Sequence, residues 1–119
     1  LKIGNIGSEV EAMGRYVMKE AGYEKNFMYS GLHSVGVIEF EAPILGPSSK
    51  TVIQKDMVIS VVIPLYEAEI NGMRMEDGYL ITENGAERLT DASPFNRCTK
   101  NREKITFAVL RYIFFKYIP

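Results

Sequence analysis

Residues 57–66, MVISVVIPLY, form an uncharged block of ten in which only Ser60 and Pro64 are not hydrophobic, and this block constrains the fold more than any other feature of the chain. Its length and content suit a β-strand buried on both faces, with Pro64 toward its end or at a bulge because proline cannot donate to a ladder. Such a strand needs neighbours. Residues 35–41 are rich in β-formers and stop at Ala42-Pro43, before the loop signal Gly46-Pro47-Ser48-Ser49. Asn71-Gly72 signals a turn, residues 73–82 a further strand, and Asn84-Gly85 a second turn.

Upstream lies a helix, expected over residues 8–21. Ser8 followed three positions later by Glu11 has the pattern of a capping box, in which hydroxyl and carboxylate satisfy orphan amides reciprocally. Val10, Met13, Val17 and Ala21 recur at helical spacing, Glu9, Glu11, Lys19 and Glu20 fall mostly on other faces, and Gly22 suits the left-handed position past the end. Gly14 costs about 1 kcal/mol against alanine and is expected to mark a close approach to another element. One helix followed by sequence-adjacent strands predicts an α+β fold, an N-terminal helix and a mostly antiparallel sheet.

At 119 residues the chain is the size of one domain, expected over residues 1–90, with a tail of different composition over 91–119. Fourteen Lys+Arg against fifteen Asp+Glu give no electrostatic reason to attract nucleic acid or an anionic membrane. Cys98 stands alone, so no intramolecular disulfide forms; with no leader pattern at the start, a cytoplasmic setting is expected. One Cys and one His also fall short of a structural zinc set. The chain opens on Leu1, which suggests part of a longer product. Arg111 and Lys116 interrupt the tail sequence ITFAVLRYIFFKYIP, which is too short for the roughly 20 apolar residues of a membrane span. It reads as a packed terminal element or interface segment, with an amphipathic anchor as the weaker alternative.

Chemistry-bearing residues are few. His33, in GLHSVG, is the single histidine and reads either as a satisfied structural residue or as a ligand. In GMRMED, strand parity turns Arg74 and Glu76 to one face and Asp77 to the other. That group is either a solvated charge cluster or, beside the histidine, part of a metal or substrate cleft.

Three blocks, GLHSVGVIEFEAP, DMVISVVIPLY and GMRMEDGYLITENGAERLT, resemble in order and spacing the C-terminal half of the pita-bread metallopeptidase superfamily of Xaa-Pro aminopeptidases, prolidases, creatinases and methionine aminopeptidases. The helical segment ending at Gly22-Tyr23 fits the same pattern, and the resemblance covers residues 2–90. It implies a hydrolase that holds two divalent metals (manganese, cobalt or zinc) on two Asp, one His and two Glu, and acts on peptides with proline in the second position. His33 matches the family's His ligand and Glu76 its last, bridging Glu; Arg74 and Tyr66 match substrate-pocket positions.

The chain departs from the family in three ways. Both Asp ligands belong N-terminal to the opening helix. The other Glu ligand aligns with Val62, with no Asp or Glu between Asp56 and Glu67, and the family's second His aligns with Phe40. The resemblance therefore implies a piece of a peptidase with remnant ligands His33 and Glu76, no tight metal binding by this chain alone, and no activity alone. A metal-free binding module of the same fold and a truncated, functionless product are the alternatives. A homodimer or an N-terminal half are the partners expected to cover exposed strand surface.

Overall fold

The computed structural model describes residues 1–67 and 71–90. Helix α1 spans Gly7–Glu20, a 3-10 turn spans Glu24–Asn26, and four strands follow: β1 Leu32–Ser34, β2 Val58–Glu67, β3 Asn71–Thr82 and β4 Gly85–Arg88. They form one sheet in sequence order, every neighbouring pair antiparallel. The α+β expectation holds, with the uncharged block as the second strand, flanked by β1 and β3.

Alternation along β2 divides the molecule. Ile59, Val61, Ile63 and Leu65 turn to the face that packs on α1. Val17, Met18 and Phe27 are buried with Tyr23, Ile63 and Leu65 against them, and Leu32, Leu45, Ile53, Ile59 and Ile81 form an adjoining cluster that takes in Val10 and Val61. Ile59 is fully enclosed, 0% exposed, which is worth about 1.5–3 kcal/mol for a side chain of its size. Pro64 lies inside β2, opposite Arg74, rather than at its end. Amides two apart point the same way along a strand: the Val62 N–H bonds the Gly31 carbonyl, and Pro64 faces the same edge where β1 is already past its end. No ladder bond is lost.

The helix keeps its expected C-terminus and changes its start. Gly22 takes φ +82°, Tyr23 N–H bonds Met18 O at 2.8 Å and Gly22 N–H bonds Lys19 O at 2.9 Å, the paired closure of a Schellman motif. The capping box is not made. Ile6 is the N-cap without a side-chain bond, and the first amides go instead to the 49–51 loop, Gly7 N–H to Thr51 O at 2.9 Å and Ser8 N–H to Ser49 O at 3.3 Å. Glu11 is thereby free to turn inward and is buried, while Met13 is exposed. Gly14 approaches nothing: a Cβ there would have open space.

Two further expectations are corrected. Residues 36–40 are not strand, and Val37 is 98% exposed. The Glu41 carboxylate accepts the Ile38 N–H at 2.9 Å and Gly36 N–H bonds Ile38 O at 3.2 Å, so local bonds replace a ladder. Asn71-Gly72 lies within β3, not in a turn. Gly72 sits across from Tyr66, whose ring any Cβ at that position would strike, so this glycine makes room for an aromatic ring. At the next hairpin the turn residues are Glu83 and Asn84, with Gly85 opening β4 at φ +125°. Among the described residues no helix is long and apolar enough to cross a membrane. The expectations for the tail over 91–119 lie outside the described residues.

Candidate metal centre

The sheet face opposite α1 carries the polar residues. Cross-strand register pairs His33 with Ser60, Ser60 with Gly78, Val62 with Glu76, Pro64 with Arg74 and Tyr66 with Gly72. Parity therefore turns His33, Ser60, Val62, Glu76, Arg74 and Tyr66 to one side and Asp77 to the other, where Arg88 Nη2 meets its carboxylate at 3.1 Å.

Glu76 is the hub. Its Oε1 lies 3.2 Å from His33 Nε2 and accepts the Ser60 hydroxyl at 2.8 Å, while Oε2 takes Arg74 Nη2 at 2.9 Å. His33 is 6% exposed, and its Nδ1 faces the Ser34 carbonyl at 3.3 Å. The carboxylate beside it, and secondarily the Tyr29 hydroxyl, raise the Arg74 guanidinium further above its ordinary pKa. His33 and Glu76, 43 positions apart in the chain, meet because β1 and β3 flank the same central strand.

The other predicted positions gather round this pair. Phe40 lays its ring on His33, centroids 4.2 Å apart and planes at 36°. Val62 is directly across the ladder from Glu76 and is 3% exposed. The Tyr66 hydroxyl bonds the Tyr29 hydroxyl at 2.9 Å, with ring centroids 6.0 Å apart. Desolvation first, then the bond to Tyr66, raises the Tyr29 phenol, and Arg74 works against both.

Sequence reasoning missed two parts of the arrangement. Glu39 joins His33 and Glu76 in a group whose ligand atoms lie within 4.8 Å of one another. A strand reading of this segment would have placed Glu39 on the His33 face by parity, the one signal available. The second is a clamp from the helix. Glu11 Oε2 accepts Gly31 N–H at 2.8 Å and the Ser30 hydroxyl at 3.2 Å, and Glu11 Oε1 faces Arg15 Nε at 3.1 Å. Arg15 in turn donates to the Phe27 and Tyr29 carbonyls, both at 3.3 Å, and stands 5.0 Å over the Phe27 ring. Helix α1 thus holds the segment that presents Tyr29 and leads into His33.

As to chemistry, an imidazole and two carboxylates are a donor set for one first-row divalent ion.

The sequence profile of metallopeptidase family M24 matches residues 1–83. The Xaa-Pro dipeptidase of Pyrococcus furiosus is 39% identical to this chain over 89 residues, 75% of this chain and 26% of the relative. The crystal structure of the prolidase from Pyrococcus horikoshii matches with a TM-score of 0.74 at 36% identity, covering 77% of this chain and 26% of that one. The X-Pro aminopeptidase from Thermotoga maritima matches with a TM-score of 0.73 at 26% identity. The fold is part of the pita-bread architecture of these enzymes, and the chain spans about a quarter of the length of the relatives it matches.

Proposed function

Because this chain belongs to metallopeptidase family M24, we propose that it follows the plan of an Xaa-Pro dipeptidase with a degraded dinuclear metal centre, and that by itself it does not hydrolyse Xaa-Pro peptides. The observation that carries this reading is Val62, a buried hydrocarbon in the ladder position across from Glu76, where the family resemblance calls for a second carboxylate. Bound metal in such a centre supplies a Lewis acid and a water ionised near neutral pH. With His33, Glu39 and Glu76 as the converging donors, the described residues offer one ion's worth of ligands.

The rest of the face supports the same reading. Phe40 presents a ring edge and face where the resemblance places a second histidine, removing a preorganised donor of a kind worth about 2.7–4 kcal/mol in related sites. Arg74, Tyr66 and Tyr29 keep a guanidinium and two hydroxyls together, suited to bind and orient a peptide carboxylate or carbonyl. The single cysteine supports a cytoplasmic location.

The test is direct. Purified chain is incubated with manganese and an Xaa-Pro dipeptide, and free proline is measured. No release above the uncatalysed background is expected; metal-dependent release abolished by His33→Ala would overturn the proposal. The cluster of Arg74 with two tyrosines favours, as a second reading, a metal-free peptide-binding module. In that case the dipeptide binds without added metal, and Tyr66→Phe weakens it.

A further inference from the structure

We propose that residues 105–118 of this chain, which lie outside the described residues, dock on the loop after β1 and cover Val37, Ile38, Phe40 and Ile44. All four residues are more than half exposed. They are gathered because the loop doubles back on its own strand: Glu41 bridges Ser34, and the Ser34 hydroxyl donates to the Pro43 carbonyl at 2.8 Å. A grouped apolar surface at a sheet margin marks a contact site. The docking is independent of whether metal binds beside it.

Charge selects the occupant. Residues 91–119 carry six Lys and Arg against two Asp and Glu, a net +4, whereas residues 1–90 carry eight against thirteen, a net −5. Loop residues 36–44 include Glu39 and Glu41 and no basic residue. Segment 105–118, ITFAVLRYIFFKYI, has eleven hydrophobic residues among fourteen, with Arg111 and Lys116 as its only charges. It matches the loop in apolar character and opposes it in charge, and such complementarity orients a contact.

Register puts the segment within reach. His33 pairs with Ser60 and Ser60 with Gly78, and one step beyond the Tyr79–Arg88 pair the Leu89 N–H bonds the Gly78 carbonyl at 2.8 Å. His33 and Leu89 therefore stand on one row, three strand spacings or roughly 14–15 Å apart. Parity turns Leu89, itself 52% exposed, to the His33 face, while the Thr90 hydroxyl bonds Asp77 on the other. The fourteen residues 91–104 then separate this point from the docking segment. A chain of that length spans roughly 20 Å as a coil and more when extended. Tethering over such a span gives an effective concentration on the order of millimolar, so the segment docks on its own chain. Near that concentration it reaches a neighbouring copy instead, and association sets in. Because Phe40 stacks on His33, the docked segment also covers the approach to the imidazole.

The experiment uses the full chain carrying Cys98→Ser and Tyr117→Cys, a nitroxide spin label on the new thiol, and nitrogen-15 amide spectra. The amides of Val37, Ile38 and Ile44 are expected to lose most of their intensity. Those of Ala21 and Gly22, beside the cluster at the other end of β2, should keep theirs. Phe114→Asp with Phe115→Asp in the segment, or Val37→Lys with Ile44→Lys in the loop, should restore the lost signals, and the same spectra show that each variant is folded. No loss at the loop, loss spread evenly over the chain, or loss that survives both pairs of substitutions would each overturn the proposal. A mixture of labelled chain without nitrogen-15 and enriched chain without label separates the occupants. Well below millimolar concentration the mixture should show no loss. Loss as deep as in the doubly labelled chain would make a second copy the occupant and overturn docking within one chain.

Discussion

Val62 and Glu76 face each other across one rung of the sheet, and the contrast between them defines the chemistry of the face. A glutamate at position 62 would put two carboxylates in one partly buried place, where like charges oppose ionisation. Val62→Glu is therefore expected to lose about 3–5 kcal/mol of stability at neutral pH without metal. Added manganese should recover part of that loss, because a cation compensates both carboxylates. Urea unfolding with and without the metal measures both numbers; an unchanged midpoint in the variant would mean that position 62 is not enclosed as described. His33 and Glu76 were legible as candidates from residue type and family pattern. Glu39 was not: its even separation from His33 offers only strand parity, and the segment is a loop held by Glu41, so parity is not what brings Glu39 to the pair.

At the level of elements, α1 acts on the site from the other side of the chain path. Its buried Glu11 accepts the Gly31 amide and the Ser30 hydroxyl, and Arg15 secures the carbonyls of Phe27 and Tyr29. Glu11→Ala would orphan the Gly31 amide and strip Arg15 of its carboxylate, at a cost of about 1–3 kcal/mol. The expected result is a lower urea midpoint together with faster hydrogen exchange at Gly31 and Leu32, while the Schellman end of the helix stays protected. Exchange that rises evenly through α1 would instead mark Glu11 as a helix-stabilising residue only. The S-x-x-E pattern at Ser8 was a false cue for a physical reason: carbonyls of the 49–51 loop reach the first amides, which leaves the glutamate to a tertiary partner 20 residues on. Gly72 misled in the same way, as its lack of a side chain serves the Tyr66 ring and not a reverse turn.

Across the whole molecule, the sheet has one face packed on the helix and one face that carries the polar cluster, with Val37, Ile38, Phe40 and Ile44 exposed in the loop at its margin. Grouped apolar residues of this kind favour association. Sedimentation velocity is expected to show a weight-average mass that rises with concentration, and Val37→Lys combined with Ile44→Lys should reduce that rise; a strictly monomeric parent chain would refute the expectation. Some of this architecture was determined by the sequence alone. The apolar run over 57–66, the helical repeat ending at Gly22 and the turn at Asn84 act through neighbours a few residues away, and short-range sterics and hydrophobic periodicity are written in the order of the residues. What only the tertiary structure decided depends on contacts between distant segments: which oxygen His33 meets, that Phe40 covers its ring, that Glu39 turns toward the pair, and that Glu11 serves β1 rather than its own helix. Those pairings are set by strand register and by competition among polar partners for the same amides and carboxylates, and neither is visible until the chain has folded.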